Sequence, residues 1–226
     1  RSTMEKIGRS GVQGSRDRPP RPRRVPTQRR SRERVERMLA VATELIALKG
    51  IDAVRMSEIA RRAEVSIGSL YQYFPDKAAI VRTLADRYNA EGRACVEAEL
   101  AAVHSDAELQ SALGRVVDGY YRMFLREPAM RDIWRATQAD KALQEQDAAD
   151  CEAHAATLSA VLARLRPEHN PDALRTLSSL LIQLIATAVR HAISLERAQG
   201  DAAIDMFKRL LSANLLDLLG HAGKGG

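Results

Sequence analysis

The chain has 226 residues, 45% of them hydrophobic, which is enough for one or two domains with a sizeable core. Its net charge of +6 is uneven: residues 1–34 hold twelve Lys/Arg against Glu5, Asp17 and Glu33, and the remainder is slightly acidic. Two cysteines exclude a disulfide framework, and the most apolar window, Leu177 to Leu195, is interrupted by Gln183, Arg190 and His191, which argues against a membrane span.

Residues 1–30 lack periodicity and are rich in Arg, Pro, Gly and Ser. They predict a disordered basic arm, read either as a nucleic-acid contact or as a solubilising tail. No apolar stretch of the secretory kind follows the N-terminus, so a cytoplasmic location is expected. From about residue 31 the hydrophobic period is helical almost to the end, with no convincing strand run. The expected class is all-α, with about nine helices.

The first helix is predicted over about 32–48, with Val35, Met38, Leu39, Ala42, Leu45 and Ile46 as its apolar stripe and Gly50 as its stop. A short second helix covers roughly 56–63, and a third takes Ser66 to Tyr73. Phe74 precedes Pro75 and is therefore pushed out of the helical region. Asp76 is placed to cap a fourth helix with Ile80, Val81, Leu84 and Tyr88 inward. Two short helices joined by a tight turn and packed on a longer one outline a helix-turn-helix, although ordinary bundles share that outline.

Longer helices follow. One runs over about 106–127, Pro128 opens the next, and another spans about 140–166. Asn170 caps the eighth helix with Pro171 in its first turn, and Asp201 is expected to cap the ninth, which Gly220 closes. The eighth helix is apolar nearly all round and needs cover on more than one face. A second copy of the chain would supply it through a four-helix bundle built on Leu181, Leu184, Ile185, Val189, Phe207, Leu211, Leu215 and Leu218. An intrachain core that uses the same side chains is the alternative.

An effector pocket in such a domain would be an apolar cavity with few polar groups. The candidates are Tyr120, Tyr121, Phe124, Met130, Trp134, Gln138 and His154, which at helical spacing also suit a plain core. The five histidines are scattered and no His/Cys pair has ligand spacing, so neither a metal site nor another cofactor is expected. No nucleophile–base pair or phosphate loop stands out, which disfavours an enzyme.

Ser57-Glu58-Ile59-Ala60, followed by Ala63 through Lys77 (A-E-V-S-I-G-S-L-Y-Q-Y-F-P-D-K), resembles the DNA-binding domain of the TetR family of bacterial transcriptional regulators. The likeness covers about residues 32–82. It implies a helix-turn-helix domain over 31–82, an effector-binding and dimerisation domain over 83–220, and a flexible tail at 221–226. It also implies a homodimer on a double-stranded palindromic operator, usually a repressor released by a small molecule. The alternative is a DNA-binding activator or architectural protein without an effector.

Residue by residue, the resemblance puts Ser57 near DNA at the start of the second helix. It puts Ser66, Ile67, Gly68 and Ser69 at the leading end of the recognition helix. Tyr71, Gln72 and Tyr73 lie on its flank and Lys77 beside a phosphate. Elementary chemistry agrees: Gly68 allows close backbone approach, the serines offer short hydroxyls, and a tyrosine hydroxyl reaches a phosphate from a helix flank. Ile67 is contested, because helical phase places it beside Leu70 and Phe74 on the core side. Two positions depart from the family pattern. Glu64 stands where glycine is usual and must take that backbone geometry. Arg55 stands where Ser or Thr often caps the second helix, and is instead a candidate phosphate contact.

Overall fold

The computed structural model describes residues 24–222, with side chains from 29 to 213. The elements in chain order are α1 (Arg24–Ala53), α2 (Met56–Arg62), α3 (Ile67–Tyr73), α4 (Lys77–Ala101) and α5 (Asp106–Arg126). They continue as α6 (Ala129–Ala139), α7 (Lys141–Leu165), α8 (Pro171–Ala192) and α9 (Arg197–Ala222). Every element among the described residues is helical, as the all-α expectation requires.

Helix ends follow the predicted side-chain chemistry at several points. Asp76 accepts from the Ala79 N–H at 2.7 Å, and Asn170 accepts from the Asp172 N–H at 2.8 Å with Pro171 in the first turn. Phe74 leaves helical geometry before Pro75, at φ −132° and ψ 98°. Gly50 breaks α1 at φ 75°, and one more turn follows it to Ala53.

Three boundaries differ from expectation. α1 begins at Arg24, so Arg29 and Arg30 are helical; Arg21 and Arg23 lie outside the described residues. α9 begins at Arg197, so Asp201 lies inside its second turn and caps nothing. Asp201 instead accepts from Arg197 Nε at 2.9 Å and from the Tyr121 hydroxyl at 3.0 Å. The pairing with Arg197 and the Tyr121 hydroxyl holds its carboxyl below the usual range. The helix also runs through Gly220 rather than closing there.

Apolar side chains collect into two cores. The N-terminal core holds Met38, Leu39, Leu45 and Ile46 of α1, Ile59 of α2, Leu70 and Phe74 from the α3 segment, and Ile80 and Leu84 of α4. Ala129 and Ile133 of α6 and Leu143 of α7 enter this same core. The C-terminal core is built by α4, α5, α7 and α8 together with Met130 of α6 and Ile204 of α9. The predicted division near residue 82 is therefore crossed by α4, an uninterrupted helix, and by α6, which sends Ile133 one way and Met130 the other.

α8 is long and apolar enough to cross a membrane by length and composition. Its apolar residues have a use inside the fold: Leu174, Leu181, Ile182, Ile185 and Val189 are all buried. That burial also corrects the expected dimer stripe, because Leu181, Ile185 and Val189 belong to the intrachain core. The exposed apolar side chains of these helices are Leu180, Leu184, Met206 and Leu210. Phe207 and Leu211 are partly buried against the core, and the side chains of Leu215 and Leu218 lie outside the described residues.

Gly200 fixes how closely α9 approaches its neighbours. A Cβ there would stand 2.6 Å from the Ala192 carbonyl oxygen and 2.7 Å from the Tyr121 hydroxyl. Alanine would raise helix propensity by about 1 kcal/mol, but overpacking costs roughly 1–3 kcal/mol. Gly200→Ala should therefore destabilise the protein by roughly 1 kcal/mol and lower Tm by a few degrees in thermal unfolding. An unchanged or raised Tm would contradict that packing.

Candidate nucleic-acid interface and effector cavity

α2 and α3 are joined by a turn whose hydrogen bonds can be counted. The Val65 N–H donates to the Ala60 carbonyl at 3.0 Å, and the Glu64 N–H donates to the Arg61 carbonyl at 3.3 Å. This pair of bonds is the Schellman arrangement, with Glu64 at the position that glycine usually fills. Glu64 takes φ 56°, as the sequence requires of that position. Its side chain is exposed, and Val65 packs on the N-terminal core just beyond it.

Ser66 restarts the chain as a helix. Its hydroxyl accepts from the Ser69 N–H at 3.1 Å, which satisfies one of the orphan donors at the start of α3. Leu70 and Phe74 are buried and fasten one side of the helix. Ser66, Ile67, Gly68, Tyr71 and Gln72 are all exposed on the rest of it. Ile67 is 44% exposed, so the conflict over its placement resolves outward. A Cβ on Gly68 would meet nothing within 4 Å. Nothing inside the chain therefore demands glycine at that position.

Two expected contacts are committed elsewhere. The Tyr73 and Ser31 hydroxyls are hydrogen-bonded at 2.7 Å, which ties α3 to α1. Lys77 Nζ donates to the carbonyls of Ile51 at 2.7 Å, Asp52 at 3.3 Å and Val54 at 3.4 Å. The expected phosphate role of the Lys77 ammonium is corrected accordingly. Carbonyls left at the end of α1 are a natural seat for a cation, and this one fills it. Arg55 precedes α2 in extended geometry, exposed and without a side-chain cap bond; Ser57 is also exposed.

Sequence reasoning missed Ser31 and Arg34. Arg34 Nη1 donates to Ser69 Oγ at 3.4 Å, so α1 supplies two side chains to the flank of α3. Neither contact has a local sequence signal, because each pair is about 40 residues apart. On the far side of the N-terminal domain, Arg87 of α4 grips Glu36 of α1 through two bonds of 2.7 Å. The hydrogen bonds from Arg87 hold the Glu36 carboxyl below its usual range.

The second candidate site is a cavity of about 110 Å³ walled by α4 to α8. That is roughly ten times the space a single water requires. Tyr120, Phe124, Met130, Trp134 and His154 line it, as the sequence suggested. Tyr121 does not; it turns towards α9 and bonds Asp201. Gln138 is exposed and outside the lining.

Apart from His154, the sequence reading missed the polar wall. Asp147, Asp150, Cys151 and His154 recur at the spacing of one face of α7 and all line the cavity, joined by Arg190 of α8. Burial pushes the Asp147 carboxyl up, the His154 imidazole down and the Cys151 thiol up. Burial likewise raises the Tyr120 hydroxyl to about 12. Tyr88 of α4 touches both cores, lines the cavity, and places its hydroxyl 3.4 Å from Glu127. Among the described residues, no three His, Cys, Asp or Glu side chains gather as metal ligands.

The family model described as tetracyclin repressor-like, C-terminal domain, matches residues 107–219, half of the chain. The model for bacterial regulatory proteins of the tetR family matches residues 38–84. The chain belongs to the TetR family. Among curated relatives, the HTH-type transcriptional repressor KstR of Mycolicibacterium smegmatis is 40% identical over 50 residues, 22% of this chain and 24% of that protein. KstR of Mycobacterium tuberculosis is 40% identical over 50 residues, 22% of this chain and 23% of that protein. The chain thus matches only about a quarter of the length of these relatives.

Solved structures resemble much more of this TetR-family chain. A TetR-family transcriptional regulator from Streptomyces coelicolor superposes with a TM-score of 0.61 at 26% identity, covering 84% of this chain and 99% of that one. Another from Pectobacterium atrosepticum gives 0.62 at 20% identity, over 84% and 96%. FadR from Bacillus subtilis, in complex with stearoyl-CoA, gives 0.58 at 15% identity, over 76% and 97%. The latter two likenesses establish the fold alone.

The Glu64 turn yields a direct stability test. A non-glycine residue in the left-handed region costs about 1 kcal/mol, and a β-branched residue costs more. Glu64→Gly should be neutral or stabilising by up to about 1 kcal/mol in chemical denaturation, and Glu64→Val should destabilise by more than about 1 kcal/mol. The opposite order would contradict the backbone geometry at that turn.

Proposed function

We propose that this TetR-family regulator is a homodimeric, cytoplasmic transcriptional repressor, released from a palindromic operator when a small molecule enters the α4–α8 cavity. One observation carries the reading. α4 starts one turn after the recognition helix, buries Ile80 and Leu84 in the N-terminal core, and lines the cavity with Tyr88, Asn89 and Val96. A ligand that displaces α4 at the cavity displaces the mount of α3 as well. Two recognition helices must meet half-sites one helical turn or a multiple apart, so a small displacement separates binding from release.

The DNA contacts assigned here are Arg55, Ser57, Ser66, Ile67, Gly68, Ser69, Tyr71 and Gln72, with Tyr73 acting through Ser31 as a brace. Lys77 retains its backbone N–H at the start of α4 for a phosphate, but not its ammonium. Ile67 is suited to a thymine methyl, and the Ser66 hydroxyl can still donate a proton while capping its helix. The cavity favours effector control over an architectural role.

The proposed dimer face consists of Leu180 and Leu184 of α8 with Met206 and Leu210 of α9, all exposed in the single chain. Two such pairs of helices would form a four-helix bundle. Leu184 is 45% exposed, so a charge there should not disturb the chain's own core. Leu184→Glu should shift sedimentation from dimer to monomer and weaken operator binding with little change in helix content. A dimer that persists unaltered would refute this face.

Tyr71→Phe tests the DNA interface. The residue is 49% exposed and no hydrogen bond to its hydroxyl is recorded within the chain, so the fold should tolerate the change. Loss of one phosphate contact should weaken operator binding roughly 5- to 20-fold, read by mobility shift on the sequence footprinted beside its own gene. Unchanged affinity would remove Tyr71 from the interface.

A further inference from the structure

The polar groups around the cavity are unevenly satisfied. Asp150 is held by Arg93 and by the Asn89 side-chain amide. Asp147 shares the cavity wall with Arg190, whose positive charge partly offsets the burial that pushes its carboxyl up. The charges of Asp147 and Asp150 are thus offset by Arg190 in the wall and by Arg93 just outside it, and burial lowers the basicity of His154. Counted with Arg93, the wall therefore carries no net charge to attract an ion.

The best seat for a cation is also taken. Arg190 lies over the Trp134 ring, with its guanidinium carbon 5.2 Å from the ring centroid. A cationic ligand would have to displace it from the ring. An anionic ligand would gain Arg190 but would meet Asp147 and Asp150 along α7.

A donor remains. Trp134 Nε1 is buried and has no hydrogen-bond partner among the described residues. An indole N–H only donates, so its one satisfaction is an acceptor brought from outside the chain. Leaving such a group buried and unmet is costly, and few are found in folded proteins. The same cavity is lined by Phe124, Met130, Ile133 and Ile185, which suit a hydrocarbon body.

We propose that the effector is an uncharged, apolar small molecule bearing a carbonyl oxygen, which accepts the hydrogen bond of Trp134 Nε1. This rests on the reading of the cavity as the effector site and specifies its chemistry. The position of Trp134 adds a route to regulation. Its chain neighbour Ile133 is buried in the N-terminal core, so a pull on Trp134 is a pull on the helix that braces the DNA-binding domain.

Calorimetric titration of the full-length protein with four eight-carbon probes tests this: 2-octanone, octane, octanoate and octylammonium. The ketone should bind most tightly, with a preference over octane of roughly tenfold. Trp134→Phe keeps an aromatic ring and removes the donor, so that preference should fall to near unity. Because the ratio is taken within one variant, a general loss of stability does not produce it. If Trp134→Phe fails to fold, the indole N–H vibration of the unaltered protein substitutes. It should shift with 2-octanone and not with octane.

Tighter binding of octanoate or octylammonium would overturn the proposal. So would a ketone preference that survives Trp134→Phe, an N–H vibration indifferent to the ketone, or failure of all four probes to bind. Ketone binding that leaves the operator complex intact would uphold this chemistry and remove the effector role of the cavity. Release of the operator by octylammonium would keep the effector role and remove the chemistry.

Discussion

The structure depends on α4 being one stiff helix held in two cores at once. Its first turns are fixed by Ile80 and Leu84 among the residues that mount α3, and its later turns by Val96 and Leu100 within the C-terminal core. Close-packed interiors do not yield gradually; they shift between discrete arrangements. A helix clamped at both ends links the cavity side chains Tyr88 and Asn89 mechanically to the residues that mount α3. α6 reinforces the link, because Ile133 belongs to the N-terminal core and also lines the cavity beside its neighbour Trp134.

The recognition helix itself is short, only Ile67–Tyr73, and a helix of that length has little stability alone. Its rigidity is supplied from outside. Leu70 and Phe74 anchor one face, Ser66 caps the start, and Tyr73 is braced by Ser31 of α1. Lys77 closes the end of α1 by bonding the carbonyls of Ile51 and Asp52 in its last turn and that of Val54 just beyond it. The exposed side of α3 is thus presented by a scaffold in which Ser31, Ser66, Tyr73 and Lys77 are already engaged.

What was legible in the sequence was mostly local. The cap at Asp76, the break at Phe74-Pro75, the left-handed turn at Glu64 and the inward pair Leu70/Phe74 follow from short-range rules and from the family resemblance. Tertiary partners were not legible. Tyr73 and Ser31 are 42 residues apart, and Lys77 and Ile51 are 26 apart, with no pattern that announces either pair. The α8 stripe failed for a related reason. A helix apolar all round does not reveal which face its own chain will cover, and Leu181, Ile185 and Val189 went inward while Leu180 and Leu184 did not. The polar wall of α7 was visible in principle, since Asp147, Asp150, Cys151 and His154 share one helical face, but polar stripes ordinarily face water.

The composition contributes one further consequence. Trp134 is the single tryptophan in the chain, and it stands at the cavity wall, on α6, beneath the guanidinium of Arg190. Red-edge ultraviolet emission from this protein therefore originates in one ring, whose surroundings are the cavity and the helix that bears on the DNA-binding domain. The molecule carries a built-in optical probe, and changes at its interior are readable without attaching a label.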